Sequence, residues 1–185
     1  NTHLEHLEDD IINNGAKGGE NAINFLKSVR DMLAGNTGGA VNMTVKWDGA
    51  PAIICGINPE NGKFFVGTKS VFNKTPKINY NISDIRKNHG TGGAGAKLIY
   101  CFNYLKRLPI KGILQGDLLF TDDKTIVKID GEPHISFTPN TITYAVPVDS
   151  GIGRQIARAK MGIVFHTSYT GKNMSSLSAG FGTVR

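Results

Sequence analysis

Asn58-Pro59-Glu60-Asn61-Gly62 narrows most what this chain can fold into, because Asn-Gly between two β-rich runs specifies a tight hairpin. Ala52 to Ile57 and Lys63 to Thr68 flank it, so the core must contain antiparallel strands. Upstream, Val41 to Trp47 alternates and stops before Asp48-Gly49, a second turn signal, which extends the hairpin to a meander. Lys111 to Phe120, Ile126 to Ile129, His134 to Phe137, Thr141 to Val146 and Met161 to Thr167 read as further strands. Asp122-Asp123, Asp130-Gly131 and Pro139-Asn140 divide them.

Helical spacing occupies the remainder. Leu4, Leu7, Ile11 and Ile12 share one face of a helix over residues 3 to 14, behind a Thr2 cap. Gly15 to Gly19 breaks it, and Glu20 to Leu33 repeats the pattern, giving a helical hairpin over residues 1 to 38 that packs against the sheet. His3, Glu5 and His6 in this first helix lack the two-histidine spacing of zinc peptidases and read as a solvated helix start. Leu98 to Leu108, stopped by Pro109, and Ser150 to Lys160 are the other two predicted helices. Residues 73 to 97 read as a polar connection, and 168 to 185 as a Ser/Gly-rich tail with little pattern of its own. The expected architecture is one α+β domain with its core in residues 41 to 167.

Composition limits the function classes. No apolar run is long enough for a membrane span, so an intracellular, cytoplasmic protein with no membrane partner is expected. Cys55 and Cys101 are too few for a disulfide framework and lack metal-site spacing, which leaves buried thiols. A net charge of +6 favours a polyanionic partner. The glycine run from Gly90 to Gly95 fails as a phosphate loop, since Ala96 stands where the lysine is needed; it reads as a helix start, or as backbone amides open to an anion.

Chemistry concentrates at Thr44-Val45-Lys46-Trp47-Asp48-Gly49. A lysine beside a tight turn at a sheet's mouth can attack a nucleotide phosphate and hold it as a phosphoamide; it can equally be a solvated strand end. Val66-Gly67-Thr68-Lys69-Ser70 brings a cation to the end of the strand after the hairpin. Gln115-Gly116-Asp117 places a carboxylate inside an apolar strand, where it needs a hydroxyl, a cation or a metal, unless the Gly-Asp pair marks a bulge. Gly162-Ile163-Val164-Phe165-His166 is an apolar strand opened by glycine, with His166 a strand-end histidine or a phosphate contact. Taken singly, Lys69 is a surface lysine, Phe137 and Tyr144 are core aromatics, and Trp47 packs rather than stacks on a base.

In this order the stretches resemble the covalent nucleotidyltransferase superfamily of ATP-dependent DNA ligases, RNA ligases and capping enzymes, nearest to the RNA-ligase-like members of tailed phages. The resemblance runs from about Val41 to Thr167. It implies an ATP-grasp-like adenylation fold, in which antiparallel sheets form a nucleotide cleft. By the same likeness Lys46 takes AMP from ATP, the first half of polynucleotide end-joining, on RNA or DNA ends. Thr44, Val45, Asp48 and Gly49 belong to its signature, and Lys69 lies near ribose or phosphate. Asp117 holds the ribose and serves as a candidate Mg²⁺ ligand, Phe137 or Tyr144 stacks on the base, and Val164 belongs to a further signature.

Two departures accompany the likeness. Met161 stands where an acidic residue helps to bind the divalent ion, and the closing lysine pair is not found before Arg185. The sequence begins at Asn1 without Met, so a piece of a longer protein is expected. The competing expectation is a non-catalytic nucleic-acid-binding or phage accessory protein; GMP transfer is a third. Oligomeric state is not encoded in any of these signals.

Overall fold

In the computed structural model, residues 6–36 and 45–181 are described. The expected Thr2 cap, the His3 and Glu5 pair, the strand residues 41 to 44 and Thr44 lie outside them. The chain divides into two compact units, Asn1–Lys46 and Trp47–Arg185, where one domain was expected.

The first unit is built on α1 (Leu7–Leu33), interrupted at Gly15, where φ 57° and ψ −133° leave the helical region. Only glycine holds such a backbone without strain, and the axis kinks there. The break therefore falls at Gly15 alone, and Ala16 to Gly19 continue as helix. Gly18 sits against the backbone of Asp10 across this kink, too close for any side chain, and Ala22 is buried one turn later. The His6 amide donates to Asp9 Oδ2 at 2.7 Å, fixing the start of the helix. Ile12, Ile23, Phe25, Leu26 and Leu33 are exposed.

The second unit is α+β. Its five-stranded antiparallel sheet has the order β2 (Phe64–Gly67), β1 (Ala52–Ile57), β3 (Ile113–Phe120), β7 (Gly162–Thr170), β8 (Ser178–Phe181). A three-stranded antiparallel sheet pairs β4 (Thr125–Ile129), β5 (Glu132–Phe137) and β6 (Tyr144–Pro147). The Asn61-Gly62 hairpin joins β1 to β2, with Gly62 at φ 68°. Asp130 and Gly131 both take positive φ at the β4–β5 turn, as a two-residue hairpin of that type demands.

Strand alternation decides which side of the large sheet each residue serves. Ile53, Cys55, Val66 and Leu118 turn to one side and pack against α2 (Ile82–His89) and α3 (Gly93–Leu105) through Ile85, Leu98, Cys101, Phe102 and Leu105. Ile54, Phe65 and Ile113 join Val71 and Met174 in a second cluster. Leu119, Phe120 and Phe137 form a third, with Tyr144, Ile156 and Val164 packed on it. Ser150 caps α4 (Gly151–Arg158) by accepting the Gly153 amide, and Lys124 closes its far end by donating to the Ile156 and Ala159 carbonyls.

Three expectations need correction. Val45 to Gly49 have no regular structure, so Lys46 does not end a strand of the meander. The polar connection contains α2, capped by Asn81, whose side chain accepts the Asp84 amide. The tail is ordered through β8, which pairs with β7 from Thr167–Phe181 to Thr170–Ser178. No helix among the described residues is long and apolar enough to cross a membrane.

Candidate functional site

Asp48, Gly49, Lys69, Asp117, Tyr144 and Val164 converge where β3 leaves the large sheet beside the small one. The backbone builds the convergence. The Ala50 amide donates to the Leu118 carbonyl at 3.0 Å, and the Leu118 amide to the Pro51 carbonyl at 3.2 Å. The residues before β1 are thereby laid along β3; the Ala50–Pro51 peptide is cis. A Cβ on Gly49 would stand 2.8 Å from both Asp117 Cβ and the Leu118 carbonyl oxygen, so only glycine lets Asp48 approach the Asp117 strand this closely.

Asp48 is held from the small sheet. Its amide donates to the Tyr144 hydroxyl at 2.8 Å, and its carboxylate accepts from Asn140 Nδ2 at 3.2 and 3.3 Å. The Tyr144 ring stacks on Phe137 at 5.6 Å and meets Trp47 at 5.1 Å. Phe137 is buried behind it against Phe120 and belongs to the core, whereas Trp47 is exposed and Tyr144 half-buried. Val164 pairs with Asp117 across β3 and β7 and packs into the same cluster.

Asp117 is the electrostatic centre. Burial raises its carboxyl above the usual aspartate range; His166 and Lys69 pull it back down, and the negative charge of Asp48 pushes it up. His166, Lys69 and Asp48 thus all act on the Asp117 carboxylate. His166 Nε2 lies 3.6 Å from Asp117 Oδ2, and its Nδ1 is 2.8 Å from Thr167 Oγ1. His166, expected as a strand-end histidine or a phosphate contact, lies inside β7. The pairing steps from Gln115–Thr167 to Gly116–Phe165, so His166 is the extra residue of a bulge. Bulges redirect side chains, and this one brings the imidazole to the carboxylate. Glycine at 116, opposite the bulge, was the available signal.

In the first unit, Val45 and Lys46 are both exposed, and Lys46 Nζ is 3.4 Å from His6 Nε2. Lys46 directly precedes Trp47 in the chain, two residues from the fixed amide of Asp48.

Among the described residues no group of three or more His, Cys, Asp and Glu is arranged to hold a metal ion. Mg²⁺ usually takes only one or two protein carboxylates and keeps waters or phosphate oxygens. Asp117, on which the charge of Asp48 acts, and Asp48 meet that requirement as a pair of carboxylates; a closed all-protein cage is not formed among the described residues. A concavity of about 550 Å³ lies elsewhere, lined by Asp130, Glu132, His134, Pro147 and Asp149 among others, and contains none of these site residues.

Comparison with known proteins gives no match to a curated protein and none to a solved structure. A family model described as a family of unknown function, DUF6267, matches residues 1–184, and the chain belongs to that family.

Proposed function

We propose that the protein is an ATP-dependent polynucleotide ligase-like adenylyltransferase that forms lysyl-AMP at Lys46. The observation that carries the reading is the convergence of Asp48, Lys69 and Asp117 beside an aromatic wall of Tyr144 and Trp47. Purine nucleotides ask for this combination: a ring surface for the base, a carboxylate for the ribose hydroxyls and a cation for phosphate. The two antiparallel sheets that supply it agree with an adenylation-type cleft.

In the proposed step the neutral Lys46 amine attacks the α-phosphorus of ATP. A P–N bond forms, the α–β phosphoanhydride P–O bond breaks, and pyrophosphate leaves with the electron pair while the amine proton passes to solvent. Asp117 accepts hydrogen bonds from the ribose, and Lys69 offsets charge on the phosphates. Tyr144 fixes the Asp48 amide. When bound, Mg²⁺ would be held by Asp117 and Asp48 and would supply charge neutralisation on the phosphates.

The test is incubation of the protein with ATP labelled at the α-phosphate and Mg²⁺, followed by denaturing electrophoresis. Acid-labile label on the wild type and none on Lys46→Ala is the expected result. Unlabelled wild type, or equal label on both, overturns it. A second reading, a binding protein that keeps the fold without the chemistry, is favoured by Met161 at the acidic position and by the exposure of Lys46. Nucleic-acid binding that is indifferent to ATP, with no label, selects it.

A further inference from the structure

Residues 69 to 97 hold Lys69, Lys74, Lys77, Arg86, Lys87 and Lys97 against the single carboxylate of Asp84, a net +5 in a chain whose total is +6. Almost the entire charge excess is thus confined to one stretch. Folding keeps it together. The Lys77 amide donates to the Ser70 carbonyl at 3.1 Å, which returns the loop to its own start beside Lys69. Lys77 Nζ then reaches the Asn88 carbonyl at 3.4 Å, in the last turn of α2, where Arg86 and Lys87 are exposed. Buried Asn79 ties these pieces by donating to the Val66 carbonyl and lying 3.3 Å from His89 Nε2.

Among the described residues none of these six cations has a carboxylate within 4.0 Å. Cations kept close together without partners are an electrostatic cost in the free protein, which a polyanion removes. One end of the stretch lies at the site: β2 ends at Gly67 opposite Ile54, so the chain runs on toward Lys69 level with Ala52, which pairs with Asp117, and the charge of Lys69 acts on that carboxylate. Phe72 lies between Lys69 and Lys74, is 38% exposed, and is braced by Tyr169 at 5.1 Å. A rigid exposed ring among lysines suits the face of an unpaired base, which a duplex does not offer.

We infer that Lys74, Lys77, Arg86 and Lys87, with Phe72, form a track for single-stranded nucleic acid that leads to Lys69 and Asp117. The track deepens the ligase reading and rests on it only for the destination of the strand. Its phosphates lie along the loop and the end of α2, and one base stacks on Phe72.

Fluorescence anisotropy of the full chain with a labelled 20-nucleotide single strand, titrated at several salt concentrations, decides the matter. Wild type should bind with a salt-dependent affinity. K77E/R86E/K87E should bind at least tenfold more weakly, with a salt slope smaller by about 2, since each single-strand phosphate contact contributes about 0.7. F72A should lose roughly tenfold with the slope unchanged. Far-ultraviolet circular dichroism melts of both variants confirm that they are folded. Absent wild-type binding, unaltered binding by the triple variant, or equal affinity for duplex or for anionic phospholipid vesicles each overturns the inference. Lysyl-AMP labelling of the same proteins is read separately: track variants that keep the label but lose the strand support the track, and an unlabelled wild type that binds the strand discards the adenylation chemistry alone.

Discussion

His166 reaches the Asp117 carboxylate at 3.6 Å because β7 carries one residue more than β3 opposite Gly116. The imidazole and Lys69 moderate a carboxylate that burial and Asp48 would otherwise leave more easily protonated. A raised folded-state pKa means that, between the ordinary and the raised value, the native protein binds more protons than the unfolded chain. Stability contributed by Asp117 therefore falls as pH rises through that window. Asp117→Asn should remove this fall and melt higher than wild type at neutral pH, while its lysyl-AMP labelling drops by roughly ten- to a hundredfold, as for loss of a charged hydrogen bond. Melting temperatures of both proteins from pH 4 to 8 check the sign; an identical fall in the variant assigns it to other groups.

Gly49→Ala should be destabilising by about 1–3 kcal/mol, because the new methyl group must displace the Asp117 strand or shift Asp48. Urea unfolding of wild type and variant measures it. A change within error would show that the segment before β1 is not fixed against β3.

Tyr144→Phe keeps the ring against Phe137 and Trp47 but loses the hydroxyl that receives the Asp48 amide. A cost of about 0.5–1.5 kcal/mol is expected, together with weaker labelling at unchanged nucleotide affinity. Equilibrium unfolding and nucleotide titration separate the two effects. Loss of nucleotide affinity equal to that of Tyr144→Ala would assign the hydroxyl, and not the ring, to the base.

Burial raises the thiols of Cys55 and Cys101 to about 12, with the charge of Cys101 adding to the effect on Cys55. Since the thiolate is the reactive form, both should resist an aromatic disulfide reagent at pH 8 for as long as the fold persists. In guanidinium both should react within the mixing time of a manual assay. Fast reaction of either in the native protein would refute its burial.

Much of the second unit could be read from local signals. Asn61-Gly62 fixed β1 against β2, and Leu98 to Leu105 carried an unambiguous helical stripe. Asp48, Asp117, Tyr144 and Val164 are far apart in the chain, and the pairing of β3 with β7 and the hydrogen bond from Asp48 to Tyr144 bring them near one another. What escaped depended on partners elsewhere in the fold. The α2 segment has few apolar residues, and its cap is confirmed only when the Tyr80 amide is seen to donate to Asp84. Residues 178 to 181 resemble a loop until β7 offers an edge to pair with. The bulge at His166 is a matter of register, which composition does not encode.

Asp48 belongs by sequence to the approach to β1, yet it is gripped by Tyr144 and Asn140 from β6 and the loop before it. Asp48 thus acts as a latch between the two sheets of the second unit. A change that separates the two sheets would free the Asp48 carboxylate from Asn140 and its amide from Tyr144 together, and a nucleotide bound as proposed would be expected to hold both. Ligand-induced protection of the Asp48 amide against hydrogen exchange would be the earliest sign of that closure.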